Sequence, residues 1–405
     1  MDNRKISFLF VSLGGPVKSF ILLPTGIADV PVEDLDGKTP LQVARTPNLD
    51  RLAVAARLGM VRQVPQGLPV SSDAAMLSVL GYDPRRESAS RGGLEAAGLG
   101  IALGEDDLAL RMNFVSTFRD HLVDFGAGRI GGVEARLLVQ ALQEELGGKV
   151  RRFHPGLGYR NLLVLHGGRD LDFQTVPPQQ VQGRDLAVAM PTGPDAVVLL
   201  EIMEEAGQIL ASHDVNQVRI DLKENPADRI WLWGEGPAPA LEPFRLRTGR
   251  SLAVVAAAPL VRGIGAVAGA EVITVDGATG SYDTNYKGKL VAALEALEKH
   301  DVVLLHIAAA NEACHETDIY RKISTIEEMD HLVVGPLIKA LEARGDSRLM
   351  VTTDHMTSTV EREESTDLVP FALWEPNGES TRGERFTEEQ AALGDFVVEA
   401  GHSLL

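Results

Sequence analysis

Cysteine is almost missing from this sequence: its 405 residues contain one, Cys314. A single thiol cannot close an internal disulfide, so stability must come from packing. That suits a reducing compartment, and the cytoplasm is the expected location. Long hydrophobic runs are also missing. None approaches the roughly 18 apolar residues of a spanning helix, so no membrane span is expected. Arg4-Lys5 followed by Ile6–Val11 has the outline of a short targeting segment. Its apolar stretch is brief and no small-residue cleavage site follows, so it reads as a strand. Positive charge is in deficit, with 39 Lys and Arg against 57 Asp and Glu and a formal net charge of −18. Such a chain repels nucleic acid and anionic membrane surfaces, and neither is an expected partner. A local group of Arg and Lys can still reverse the field inside a cleft. Internal repeats and low-complexity tracts are absent.

What is present is enough for a large folded core: 44% of residues are apolar and 24% are charged. Apolar runs of strand length, such as Phe20–Leu23, Val302–Ile307 and Arg348–Thr352, alternate with helical patterns. Strands apolar on both faces belong in a parallel-rich α/β sheet with helices on both faces. Ligands of such sheets collect in the loops after the carboxyl ends of the strands. Glu134–Leu146 has helical periodicity and stops at Gly147-Gly148. Pro177-Pro178 and Asn225-Pro226 mark breaks. These signals place an extension at 1–19, a core at 20–115 and 226–405, and an inserted smaller α/β lid domain at 116–225.

Five segments carry chemistry-bearing residues. Leu22–Asp29 runs from a strand into a Gly-containing turn, with Arg45–Asp50 downstream. Pro69–Asp73 is followed by Leu80-Gly81-Tyr82-Asp83-Pro84 and by Arg91–Ala96. The third is Asp283–Lys289, the fourth Asn311–Asp318, and the fifth Thr353-Asp354-His355 with Asp367–Phe371 beyond it. In this order, together with Ile230–Gly234, they resemble the archaeal-type, 2,3-bisphosphoglycerate-independent phosphoglycerate mutases of the alkaline phosphatase superfamily. The resemblance runs from Phe20 to Phe371.

The resemblance implies a glycolytic isomerase that interconverts 3-phosphoglycerate and 2-phosphoglycerate through a phosphoserine. It also implies two divalent ions, manganese or magnesium with zinc as an alternative. Two cations about 4 Å apart would clamp the attacking and leaving oxygens. Carried over by position, Ser72 is the nucleophile. Thr25, Ser72, Asp354 and His355 stand where one ion is held, and Asn311, His315 and Glu364 where the other is held. Arg91, Lys289 and Arg160 would hold a small phosphorylated metabolite. Self-association into a homo-oligomer stays open.

Three of these positions depart from the family pattern, which has Asp at 25 and 311 and His at 364. A family His-Asp pair is Gln179-Gln180 here. Thr25 and Asn311 each remove one negative charge from a dication site. Three alternatives therefore stand beside one another: a mutase, a non-catalytic descendant that binds a phosphorylated metabolite or a protein, and phosphoryl chemistry on another substrate. Plainer readings also stand beside the single residues. Ser72 could cap a helix, His315 could sit at a helix N-terminus, and Cys314 could fill a core. Glu361–Glu364 could be a solvated face.

Overall fold

The computed structural model describes residues 17–87, 89–376, 378–381, 383–394 and 396–405. The strand expected at Ile6–Val11, and most of the 1–19 extension, lie outside them. The chain divides into two compact units, Met1–Ser88 with Leu241–Leu405, and Ala89–Ala240.

Among the described residues the strands in chain order begin with β1 (Lys18–Pro24) and β2 (Arg57–Val61). The second unit holds β3 (Leu108–Phe118), β4 (His121–Asp124), β5 (Arg151–Leu157), β6 (Arg160–Leu165) and β7 (Arg229–Gly236). The first unit resumes with β8 (Leu252–Val255), β9 (Glu271–Ile273), β10 (Val302–Ile307) and β11 (Ser347–Thr352). It ends with β12 (Met356–Thr357), β13 (Glu364–Ser365), β14 (Val369–Trp374) and β15 (Phe396–Val398).

The first unit is built on an eight-stranded sheet in the order β15-β2-β14-β11-β1-β10-β8-β9. Every neighbour pair is parallel except those made by β14, which runs against β11 and β2. Phe20, Ile21, Leu22 and Leu23 are all 0% exposed, so β1 is sealed on both faces. That is the signature of a parallel strand between helical layers. The core beside it draws on Leu290 and Leu297 of helix Tyr286–Lys299 and on Leu337 and Leu341 of helix Gly335–Arg344. The C-terminal tail contributes the edge strand β15 beside β2 and a short helix, Glu388–Ala392.

The second unit has its own apolar core and an antiparallel sheet in the order β4-β3-β6-β5, with β7 paired to β3. Helices Gly132–Leu146 and Ala196–Ser212 bury Leu138, Leu142, Leu199 and Leu210 against it. Its bounds are Ala89 and Ala240, where the break signals had suggested 116 and 225. The correction has a physical reason. β3 and β7 pair from Ala109↔Gly236 to Val115↔Arg229, so neither strand can be divided from the other. Helix Arg91–Gly98 lies so close on them that a Cβ at Gly92 would stand 2.0 Å from the Ala109 carbonyl oxygen.

One backbone position controls the carboxyl edge of the first unit. Gly26 has φ +75°, and a Cβ there would lie 2.5 Å from Cα of Asn311. A side chain would meet both the left-handed penalty and a backbone collision. Gly26→Ala is expected to cost about 3 kcal/mol of stability, measured by urea unfolding. A change within about 0.5 kcal/mol would contradict this close packing.

Candidate functional site

β1, β10 and β11 are parallel neighbours, so the loops that leave them start on one edge of the sheet. Thr25 is the first residue after β1. Asn311 and His315 lie on helix Ala309–His315, just after β10, and Asp354 and His355 follow β11. Burial of each strand leaves polar residues their first allowed place at this edge.

Hydrogen bonds draw the loops together. The Gly26 amide donates to Asp354 Oδ1 at 3.1 Å, and the Thr353 hydroxyl donates to the same oxygen at 3.0 Å. Asp354 and His355 are each 1% exposed. His355 Nδ1 lies 3.0 Å from the Thr357 hydroxyl, which orients the ring. Its Nε2 faces Asp354 Oδ2 at 3.2 Å and Glu364 Oε2 at 3.5 Å. Glu364 reaches that place because β12 and β13 form a two-residue ladder that pairs Thr357 with Glu364. The acidic run therefore sends one carboxylate inward. It does so beside His355, which the resemblance assigns to the other ion.

Asn311 and His315 are four residues apart and share one helix face. Asn311 Nδ2 and His315 Nε2 are 3.3 Å apart. Asn311 Oδ1 is buried and accepts no hydrogen bond. His315 ends its helix; it does not begin it. Thr25 is 3% exposed, and its hydroxyl lies 3.4 Å from His306 Nε2. Burial, and then the charge of Lys289, push the His306 imidazole down to about 3. It is therefore neutral.

The end of β2 lies at the same edge, but Ser72 follows it at some distance along the chain, and among the described residues no hydrogen bond ties Ser72 to Thr25, Asn311, His315, Asp354 or His355. β2 runs parallel to β1 and β11, and beyond its end Gln63 Nε2 donates to the Thr352 hydroxyl at 3.4 Å. The cap of helix Ser72–Val79 is Ser71, whose hydroxyl accepts from the Ala74 amide at 3.3 Å. Ser72 is the first helical residue, so the capping alternative belongs to its neighbour.

Lys289 is 1% exposed, and its ammonium donates to the Thr279 carbonyl at 3.3 Å. Arg91 and Arg160 belong to the second unit. Arg91 bonds Glu95 at 2.9 Å and lies over the Trp233 ring at 5.2 Å. Arg160 lies over Tyr159 at 4.2 Å. Between them in charge is Arg111, which the sequence reading did not single out. It is 2% exposed, shares Glu95 with Arg91 and covers the other approach to Trp233. The usable signal was a charged residue inside the apolar run of β3. The two arginines hold the Glu95 carboxyl below its ordinary value despite its burial.

The divalent ions that the resemblance implies can be tested against these donors. Asp354, His355 and Glu364 approach one another, and Asn311 Oδ1 is an orphaned acceptor. Yet among the described residues no three His, Cys, Asp or Glu side chains are arranged to hold a metal ion. Thr25 and Asn311 engage His306 and His315 and bring no negative charge. The residues present do not fit a pair of resident dications.

The fold and this edge define an α/β protein with a polar site at the carboxyl ends of parallel strands. Comparison with known proteins gives the family. A sequence model described as 2,3-bisphosphoglycerate-independent phosphoglycerate mutase matches residues 53–216. A protein of that name from Methanothrix thermoacetophila is 43% identical over 390 residues, covering 96% of this chain and 98% of the relative. One from Methanosarcina barkeri is 38% identical over 391 residues, with the same coverage of 96% and 98%. The solved cofactor-independent phosphoglycerate mutase of Thermoplasma acidophilum superposes with a TM-score of 0.56 at 27% identity, covering 96% of this chain and 98% of the other. A protein of Pyrococcus horikoshii superposes with a TM-score of 0.77 at 28% identity, covering 96% and 95%. This chain belongs to the 2,3-bisphosphoglycerate-independent phosphoglycerate mutase family.

Two predictions follow from the electrostatics. Burial pushes the Lys289 ammonium down to about 8 from 10.5. Between those values the unfolded chain binds the proton and the folded chain does not, so stability rises with pH across the window. Below it the full cost of burying the ammonium is present. Relative to Lys289→Met, the wild type should therefore gain stability from about pH 8 to about pH 10 in urea titrations, and a flat difference would refute this. The second prediction concerns Thr25→Asp with Asn311→Asp. By calorimetric titration the wild type should bind manganese weakly, and the double variant roughly tenfold more tightly or better. The metal-free double variant should melt lower, because the added carboxylates repel, and recover with manganese. Tight stoichiometric manganese in the wild type would show that Thr25 and Asn311 are adequate ligands.

Proposed function

We propose that this chain interconverts 3-phosphoglycerate and 2-phosphoglycerate with Ser72 as the phosphoryl carrier. The observation that carries the reading is the convergence of the Thr25, Asn311–His315 and Asp354–His355 loops on the Gly26 turn. Relatives of near full-length similarity carry the mutase name, which favours a catalytic protein over a non-catalytic descendant.

In the proposed cycle Ser72 Oγ attacks the phosphorus of the bound phosphoglycerate. The Oγ–P bond forms, the bond from phosphorus to the glycerate oxygen breaks, and the serine proton ends on that oxygen. The second glycerate hydroxyl then attacks phosphoserine, and the proton returns to Ser72. Ser72 lies in the first turn of its helix, an end that favours an anionic phosphoryl group. The buried ammonium of Lys289 would counter the charge of the substrate. Manganese or magnesium, with zinc as the alternative, is what family membership suggests. Because the donors do not fit a pair of ions, no step here depends on one.

The remaining part of this reading is a cytoplasmic protein that acts on a small phosphorylated metabolite. Among the described residues no helix is long and apolar enough to cross a membrane.

The test is conversion of 3-phosphoglycerate, followed by an enolase-coupled assay with and without manganese. Wild type should turn over, and Ser72→Ala should lose activity by roughly a thousandfold or more. Equal activity in Ser72→Ala would remove Ser72 from the chemistry.

A further inference from the structure

Beneath the candidate site lies a buried ion pair that the mechanism does not use. Lys322 and Asp29 are both 0% exposed at their side chains, with Nζ 2.7 Å from Oδ2. Asp29 also accepts from the Thr359 hydroxyl at 2.6 Å and the Thr359 amide at 3.3 Å. The Asp29 amide donates to Glu388 Oε1 at 3.1 Å, and the Thr39 hydroxyl donates to Glu388 Oε2 at 2.8 Å. Burial pushes the Glu388 carboxyl up. Lys322 turns its other donors to the carbonyls of Ala28 at 3.4 Å and Thr357 at 3.3 Å. Cys314 Sγ completes the junction, 3.5 Å from the Thr359 hydroxyl and 3.6 Å from the Gly26 carbonyl.

Five segments meet here: the loop after β1, helix Ala309–His315, helix Ile319–Met329, the segment after β11 and helix Glu388–Ala392. Three of them carry the candidate site residues. The links to those residues are short. Thr357, whose carbonyl receives Lys322, orients the His355 ring with its hydroxyl and pairs with Glu364. Gly26, three residues before Asp29, holds Asp354 with its amide.

A buried ion pair is a poor source of net stability, because desolvation of both charges consumes most of the attraction between them. An apolar pair of similar volume would hold the layers together as well. What an apolar pair lacks is direction: the carboxylate and ammonium hold the backbones of Ala28, Thr357 and Thr359, in the segments after β1 and β11, by oriented hydrogen bonds. We propose that Lys322 and Asp29 are positioning residues, which set His355, Glu364 and Asp354 relative to Asn311 and His315. This rests on the mutase reading only for its kinetic test.

The experiment compares wild type, Lys322→Met, and Lys322→Met with Asp29→Asn. Removing Lys322 alone leaves a buried carboxylate uncompensated, and the double variant removes that charge as well. Two properties are read beside the melting temperature. One is the rate at which a neutral thiol reagent labels native protein, since Cys314 is the sole cysteine of the chain and lies in the junction. The other is kcat and KM for phosphoglycerate. Lys322→Met should label Cys314 at least about tenfold faster and lose roughly a hundredfold in kcat with little change in KM. The double variant should recover the melting temperature but neither the kcat nor the protection of Cys314. Recovery of all three would mean that the pair is only structural, and unchanged labelling and kcat in Lys322→Met would overturn the proposal outright. A wild type without mutase turnover would count against the mutase reading, while the labelling rates would still decide this one.

Discussion

β1 is hydrogen-bonded on both sides, to β10 and to β11 from far along the chain; the register Pro24↔Ile307 and Leu22↔Val351 fixes both neighbours. Its residues Phe20 to Leu23 see no solvent on either face. This parallel, doubly buried pairing is the constraint on which the rest depends. A sealed strand cannot hold polar chemistry along its length. It can deliver that chemistry only at its end, and parallel neighbours deliver theirs at the same end. Thr25, Asn311 and Asp354 come to one edge for that reason, although Thr25 lies hundreds of residues from the other two.

At that edge the family scheme and the chemistry of this chain pull apart. Family membership comes from near full-length likeness. Where the resemblance leads one to expect carboxylates, the residues are neutral and face histidines: Thr25 lies beside His306, and Asn311 beside His315. The positive charge available is protein-borne and buried, on Lys289, and burial lowers its hold on a proton. Asp29 and Lys322, buried beneath these loops, bond to their backbones without involving the residues at 25 and 311.

The layering was legible because burial leaves a local trace. Val302–Ile307 is apolar on both faces and is β10, and the periodicity at Glu134–Leu146 is that of helix Gly132–Leu146. The polar residues after those strands were legible for the same reason. What escaped were features made by pairing between distant segments. The bounds of the second unit depend on β3 meeting β7, which no local break signal records. Glu364 was named as a site residue, but its place beside His355 depends on two residues of β12 meeting two of β13. Asp29, Lys322 and Thr359 look like ordinary polar residues until packing removes their solvent. The cap of helix Ser72–Val79 is Ser71 and not Ser72, a distinction that depends on backbone angles and not on composition.

The most direct measurement is to trap the phosphoryl carrier. Protein incubated with 3-phosphoglycerate, quenched in acid and digested, should yield one phosphorylated peptide in mass spectrometry, modified at Ser72. A phosphoryl group on another side chain would contradict the proposed role of this edge, as would active enzyme that never carries one.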